Sequence, residues 1–324
     1  AVMNLVKPGS AINFGMWPFI SDLRTGAFSG GSGEEALVMA ACAQLCNHYG
    51  FITSMASGMT DSKTMDAQAG YEKAITTTAL AGTLAQTFAE TLACMAVMNL
   101  VKPGSVINFG MWPFISDLRT GAFSGGSGEE ALVMAACAQL CNHCGFITSM
   151  ASGMTDSKTM DAQAGYESAI TTAALALAGC NLVAAYPGIV GSLLAQSFEG
   201  MVIDNDMLGN VQRLLRGIEV NEETLSYEVI EDTVSGAGHY LNQPQTLALM
   251  QKEYLYPEVA DRRTPGEWEA GGREDIYELA HRRVGDTLSV YYPELIEPGT
   301  DARIRDKFPI RLEQKDMQAG NGRW

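Results

Sequence analysis

Short apolar runs alternate with alanine-rich stretches along the first two thirds of the chain. Five of these runs have the length and composition of buried strands, at residues 11–16, 51–56, 106–111, 146–151 and 181–186. The longer apolar stretches between them suit helices. Because strands that alternate with helices require crossover connections, this pattern predicts an α/β fold with a parallel sheet.

Boundary residues place the helices of this pattern. Ser127-Gly-Glu-Glu130 matches a capping box, so a helix is expected to start at Ser127 and to end near Gly145. A second helix is expected from about Asp161 to Ala178, and an amphipathic one at 201–218.

The character of the chain changes near residue 219. Asn221-Glu-Glu is expected to open a helix, and exposed helices are expected at 245–256 and 273–292. Residues 315–324 read as a frayed tail. We therefore expect a helical C-terminal region at 219–324.

The chain also repeats itself. Residues 96–176 copy residues 1–81 almost verbatim, which indicates a duplication rather than a solenoid of diverged repeats. The copies differ at four pairs of positions: Ala11/Val106, Tyr49/Cys144, Lys73/Ser168 and Thr78/Ala173.

A closed (β/α)8 barrel needs eight strands, and the pattern gives five. We therefore expect a TIM-barrel-like but incomplete fold with a duplicated (βα)2 segment. The predicted parts are an extra repeat copy at 1–81, a joining helix at 82–95, the C-terminal half of the barrel at 96–218, and the helical region at 219–324.

Composition narrows the class of partner. The chain is 47% hydrophobic and 18% charged, which indicates a large core, and its net charge of −16 argues against binding nucleic acid or an anionic membrane. The uncharged stretch between Glu167 and Glu199 is long enough to span a bilayer, but Gly179, Pro187 and Gly188 interrupt it. With no charged leader at the start, we expect a cytoplasmic protein.

Three cysteines form a tempting motif. Cys137-x3-Cys141-x2-Cys144 has the spacing with which radical S-adenosylmethionine enzymes hold an iron–sulfur cluster. The first copy has Tyr49 in place of the third cysteine, and the motif falls within a sequence that is predicted to be helical. We therefore expect small buried cysteines, and no metal site.

Candidate chemistry gathers on the loops that follow three of the strands, because function in parallel α/β folds lies at the carboxyl ends of strands. Aromatic faces there bind cations and carboxylates attract them. Two structural alternatives stay open: Asp117 and Arg119 brace their loop, or Asp161 only caps a helix. The candidate residues are Trp112, Phe114, Asp117, Arg119, Asp156, Lys158, Asp161, Gln163, Tyr166 and Tyr186.

Several motifs resemble the trimethylamine methyltransferase family, over residues 79–324 and again over 1–81. They include Asp117-Leu-Arg-Thr-Gly-Ala-Phe, Thr155-Asp-Ser-Lys, Asp161-Ala-Gln-Ala-Gly-Tyr-Glu167, Gly238-His-Tyr-Leu241 and Pro244-Gln-Thr246. The resemblance implies a corrinoid-dependent methyltransferase on a (β/α)8 barrel, which passes a methyl group from an amine to cobalt(I). The corrinoid is supplied by a partner protein, so no cofactor is bound directly.

The resemblance implies two branches, and members without pyrrolysine resemble enzymes of quaternary amines such as glycine betaine. Because this sequence shows only the twenty standard residues, we expect a methylated amine, glycine betaine or trimethylamine, with a quaternary amine favoured. A quaternary nitrogen leaves as a neutral amine, so no general acid is required, and positioning matters most. We expect catalytic roles for Asp156, Lys158 and Asp161 and substrate binding by the other candidates, with either Arg119 or Lys158 holding a betaine carboxylate. A homo-oligomer stays open, and the competing hypotheses are an inactive remnant or a quaternary-amine-binding module.

Overall fold

The structure is a computed structural model, and it describes residues 13–15, 20–21, 28–29, 52–57, 79–101, 103–104, 107–113, 115–290 and 297–310. Phe114, most of the first repeat copy and the tail at 315–324 lie outside the described residues, so the predictions made for them stay predictions.

Strands and helices alternate through the middle of the chain. In chain order the strands are β1 (Asn13–Gly15), β2 (Ile20–Ser21), β3 (Phe28–Ser29), β4 (Ile52–Ser57), β5 (Ile107–Met111), β6 (Ile147–Ser152), β7 (Leu182–Ala185), β8 (Ile189–Val190) and β9 (Ala195–Gln196). The helices are α1 (Leu80–Val101), α2 (Gly128–His143), α3 (Ala162–Leu177), α4 (Phe198–Arg216), α5 (Tyr227–Ser235), α6 (Pro244–Glu253), α7 (Pro265–Ala270), α8 (Ile276–Val290) and α9 (Pro298–Lys307).

The five predicted strands form one parallel sheet in the order β1-β4-β5-β6-β7. This confirms the α/β class and the parallel sheet. Among the described strands, β1 and β7 are the outer ones and do not pair with each other, so no closed barrel is seen there. The strands β2 and β3, and likewise β8 and β9, form short antiparallel pairs in loops.

The two repeat copies pair their strands in the same way. Asn13 of β1 lies opposite Ile52 of β4, and the equivalent Asn108 of β5 lies opposite Ile147 of β6. The repeated sequence therefore pairs in the same register in both copies. Strand β4 of the first copy pairs with β5 of the second and so joins the two copies in one sheet.

The core lies between the sheet and the crossover helices. Met111, Met134, Met150 and Leu175 are fully buried there, and the rings of Phe109 and Phe146 stack with centroids 4.2 Å apart. Such burial is worth about 1.5–3 kcal/mol for each large apolar side chain, so this cluster anchors α2 and α3 to the strands.

Helix starts follow the predicted chemistry in part. The hydroxyl of Ser127 accepts the Glu130 N–H at 3.2 Å, as expected for an N-cap. The predicted capping box was wrong, because the Glu130 carboxyl is buried and makes no return bond. The helix expected at Asn221 was also wrong: Asn221 accepts the Thr224 N–H in a turn, and α5 starts at Tyr227.

The lengths of the helices bear on membrane insertion. No helix in the described ranges is long and apolar enough to cross a membrane. The uncharged stretch after Glu167 is instead divided among α3, β7 and the β8–β9 pair.

Candidate functional site

Three neighbouring strands deliver candidate side chains to one edge of the sheet. Trp112 directly follows β5, Asp156 follows β6 by a short loop, and Tyr186 directly follows β7. Since the strands are parallel, their carboxyl ends meet at this edge, which we call the rim.

An aromatic pair forms one part of the rim. The rings of Trp112 and Tyr186 meet edge to face, with centroids 6.0 Å apart. Trp112 is buried, and its indole Nε1–H donates to the carbonyl of Ser149 at 3.1 Å. The backbone N–H of Tyr186 donates to the carbonyl of Ser152 at 3.0 Å, and burial raises the pKa of its phenol. Both residues are therefore held by β6, Trp112 through its indole ring and Tyr186 through its backbone.

Asp156 is the centre of a hydrogen-bond network beside this pair. Its Oδ1 accepts the backbone N–H groups of Gly125 at 2.8 Å and Gly126 at 3.3 Å, and the Ser192 hydroxyl at 2.6 Å. Its Oδ2 accepts the hydroxyl of Ser124. One carboxylate thereby joins the loops that follow β5, β6 and β7.

Glu167 of α3 lies next to the half-buried Asp156 and is itself buried. Its Oε2 accepts the Thr155 hydroxyl at 2.6 Å and the Asp156 N–H at 2.8 Å, while Oε1 accepts from Gln163 at 2.9 Å. Gly126 packs directly on this side chain, and a Cβ there would lie 2.9 Å from the Glu167 Cβ. The carboxylate of Glu167 thus supports the backbone of Asp156, and the two residues belong to one hydrogen-bond network.

Glu130 of α2 is the third carboxyl of this region. It is 1% exposed, and neither of its oxygens has a hydrogen-bond partner. Burial, together with the nearby charge of Asp156, raises the pKa of the Glu130 carboxyl well above its usual range. None of the ion pairs in the described ranges involves Glu130, Asp156 or Glu167, so the region is acidic and uncompensated.

A backbone seam holds the loop after β7 against the loop after β6. The Ser192 N–H donates to the Thr155 carbonyl at 2.9 Å, and the Gly191 N–H donates to the Ser157 carbonyl at 2.6 Å. From α4, the buried Asp204 accepts the Gly188 N–H at 2.7 Å, and burial raises the pKa of Asp204 to about 6. Tyr186 is held in place by this seam.

The other predicted residues take varied positions. Lys158 is exposed, and its Nζ donates to the backbone carbonyl of Asp156 at 2.7 Å. Asp161 is the N-cap of α3 and accepts the Ala164 N–H at 3.1 Å, and Tyr166 stands 55% exposed on that helix.

Asp117 and Arg119 form an ion pair with each other on an exposed turn. The hydrogen bonds from the Arg119 side chain and backbone hold the pKa of Asp117 far below its usual range. This is the loop-bracing arrangement that the sequence left open.

Two residues important to the rim were missed by the sequence analysis, whereas Glu167 falls in the Asp161–Glu167 motif that it singled out. Glu130 lies in a helix, where carboxylates usually face solvent, and Asp204 lies a full helix beyond the rim motifs. The available clue was Ser127-x-x-Glu130, which sequence reasoning assigned to a capping box instead.

The three-cysteine motif does not converge on one point. Cys137 and Cys141 are fully buried in α2, whereas Cys144 is exposed at its end. Burial raises the pKa of the Cys141 thiol to about 11, and that of Cys137 well above its usual range, so both stay protonated. Across the described ranges, no group of three His, Cys, Asp or Glu residues is arranged to hold a metal ion.

This geometry defines the chain as a parallel α/β protein with an aromatic and acidic rim. A family model described as trimethylamine methyltransferase (MTTB) matches residues 1–80 and, again, residues 74–315. The chain belongs to the trimethylamine methyltransferase family. The two separate matches follow the two copies of the repeat.

Individual relatives agree with this assignment. The chain is 35% identical over 226 residues to a glycine betaine methyltransferase of Desulfitobacterium hafniense, which covers 70% of the chain and 47% of that relative. It is 38% identical over 209 residues to the trimethylamine methyltransferase MttB of Methanosarcina thermophila, covering 64% of the chain and 43% of that relative. The chain thus spans about half the length of the curated relatives it matches.

Proposed function

We propose that the chain binds a positively charged, methylated amine at the rim and transfers one of its methyl groups to a corrinoid protein. The observation that carries this proposal is the edge-to-face pair of Trp112 and Tyr186 beside three carboxyls with no ion-pair partner in the described ranges. The names of the relatives, which concern glycine betaine and trimethylamine, support the substrate class.

The rim has the features that attract a cation without hydrogen bonds. Each aromatic face is worth about 0.5–2 kcal/mol to a desolvated ammonium group. A carboxylate about 6 Å away adds about 3 kcal/mol at an effective dielectric constant of 20. Because a quaternary nitrogen has no N–H to donate, such aromatic and long-range attraction is the recognition that suits it.

The residues of the rim then act by positioning. A quaternary amine leaves as a neutral amine once a methyl group is removed, so no proton has to be delivered to it. Lys158 is better placed than Arg119 to hold a betaine carboxylate, because Arg119 is already paired with Asp117. Asp156 and Glu167 hold the loops rather than contact the methyl group.

Apolar side chains around the rim are suited to docking of the corrinoid protein. Leu118, Tyr166 and Leu194 lie on the elements that frame the rim and are 68%, 55% and 83% exposed. When bound, the corrinoid supplies the cobalt(I) nucleophile, and this chain supplies the pocket and the approach.

The direct test adds glycine betaine and cobalt(I) cobalamin to the purified chain and follows loss of the cobalt(I) absorbance. We expect betaine-dependent loss in the wild-type chain. Binding of tetramethylammonium, measured by calorimetry, separates transfer from recognition: binding with no transfer identifies a binding module or an inactive remnant, and no binding refutes the proposal.

Trp112 provides the matched variant. Trp112→Leu removes one aromatic face and should weaken tetramethylammonium binding by about tenfold, which corresponds to the 1.4 kcal/mol expected of a buried cation–π contact. Trp268→Leu removes an indole from α7, outside the rim, and should leave binding unchanged. Equal affinities for the two variants would place the cation elsewhere.

A further inference from the structure

Glu130 is the most anomalous polar group in the described part of the chain. It is 1% exposed, and both of its oxygens are buried without a partner, although buried polar groups in proteins are nearly always bonded. Capping does not explain it, since the Ser127 hydroxyl already accepts the Glu130 N–H. A buried group of this kind needs another reason to be present.

The charged group that acts on Glu130 is another carboxylate. Asp156 faces it from the loop after β6, and Glu167 of α3 lies in the same network, already bonded to Thr155 and Gln163. On its own helix, Glu129 is adjacent in sequence but exposed, and the buried Cys137 stays a neutral thiol. Among these described neighbours no cation offsets a second or third negative charge.

Two features favour the ionised form of Glu130, but they are not sufficient to keep it ionised. It occupies the first turn of α2, where the helix dipole stabilises an anion. The backbone N–H of Ile115 also faces the carboxyl, although it does not complete a hydrogen bond. Burial and the Asp156 charge outweigh both, so the group is held as a neutral acid in the free protein.

We propose that Glu130 loses its proton to solvent when a cationic amine occupies the rim, so that substrate binding and proton release are coupled. The proposal rests on the proposed function. The carboxylic acid becomes a carboxylate, its proton passes to buffer, and the charge of the bound ammonium takes the place of that proton. Glu130 is thus a positioning residue that adjusts the charge of the pocket to its occupant.

Coupling of this kind has a definite sign. The acid has a higher pKa in the free protein than in the complex, so binding releases a proton and affinity rises with pH. Between the two pKa values the association constant should rise by up to tenfold per pH unit. A structural role for Glu130 alone predicts no such dependence.

The experiment is calorimetry of tetramethylammonium binding in two buffers of different ionisation enthalpy, phosphate and Tris, over a series of pH values. The wild-type chain should release a substantial fraction of one proton for each cation bound. Glu130→Gln keeps the shape of the neutral acid but cannot ionise, so it should release none and lose the pH dependence. Glu129→Gln removes an exposed carboxylate from the same turn and should behave as wild type.

The outcomes separate the two proposals. If the wild-type chain binds the cation with no proton release, the coupling is refuted and the proposed function stands. If the Glu130→Gln variant binds with the wild-type proton release, another group titrates and the role of Glu130 is refuted. If the wild-type chain binds no quaternary amine, both proposals fall. Should Glu130→Gln not fold, the wild-type measurement still tests the coupling. Glu130→Asp, which keeps a titratable group on a shorter side chain, then tests the role of Glu130: it should shift the pH range of proton release, and an unshifted range would refute that role.

Discussion

Replacing Asp156 by alanine should destabilise the chain strongly, because one carboxylate satisfies donors from three loops. The loss includes the backbone N–H groups of Gly125 and Gly126, both buried, which cannot rotate to find another acceptor. The hydroxyls of Ser124 and Ser192 also lose their acceptor but are free to rotate. At about 1–3 kcal/mol for each orphaned N–H, the free energy of unfolding should fall by about 2–6 kcal/mol.

The companion variant Asp156→Asn separates hydrogen bonding from charge. Its remaining oxygen can accept from both glycines, and its amide can donate to the Ser124 hydroxyl, so a loss of about 1–2 kcal/mol is expected. The assay is urea unfolding followed by tryptophan fluorescence, with Asp232→Ala, an exposed aspartate of α5, as the neutral control. Equal free energies of unfolding for the Asp156→Ala variant and the wild type would refute the claim that the Asp156 hydrogen bonds stabilise the rim loops.

Two further outcomes are expected. Gly126→Ala should cost about 2 kcal/mol or more, because its Cβ would overlap the Glu167 carboxyl, whereas Gly128→Ala meets open space and should be neutral or slightly stabilising in the same unfolding assay. Burial gives Asp204 a folded pKa of about 6, above its unfolded value, so its contribution to stability is present at low pH and is lost as pH rises through 6. Asp204→Asn should flatten that part of the stability–pH curve, which amounts to about 3 kcal/mol, and a curve parallel to wild type would contradict the assignment.

The sheet could be predicted from the sequence because its strands are short, uncharged runs that alternate with helices. The run Ile147–Ser152 contains only apolar and small hydroxyl side chains, five of its six residues are buried, and the alternation of such runs with helices then favours parallel pairing. The N-caps Ser127 and Asp161 were equally readable, since each side chain acts on a backbone group three residues away. The capping residues and the spacing of apolar residues were thus sufficient to predict the helices and strands.

The candidate site could be predicted only at the level of loops. The sequence placed Asp156 and Tyr186 at one edge, but it could not show that Asp156 is bonded by groups 30 or more residues away. Glu130 was assigned to a cap because its sequence neighbours permit that role. Its inward position depends on how α2 packs under the loop after β5, which is a tertiary fact with no local signature.

The matching registers of the two repeat copies have a consequence for how the chain folds. Strands β4 and β6 have identical sequences, so a folding chain cannot distinguish them by their side chains. What distinguishes the two placements is the flanking pieces, α1 before the second copy and β7 with α4 after it, and the four positions at which the copies differ. The chain is therefore its own competitor, and the same interchangeability operates between two molecules, where one copy can occupy the place of its twin. We therefore expect some folding molecules to place the wrong copy first, and two molecules at high concentration to exchange equivalent strands.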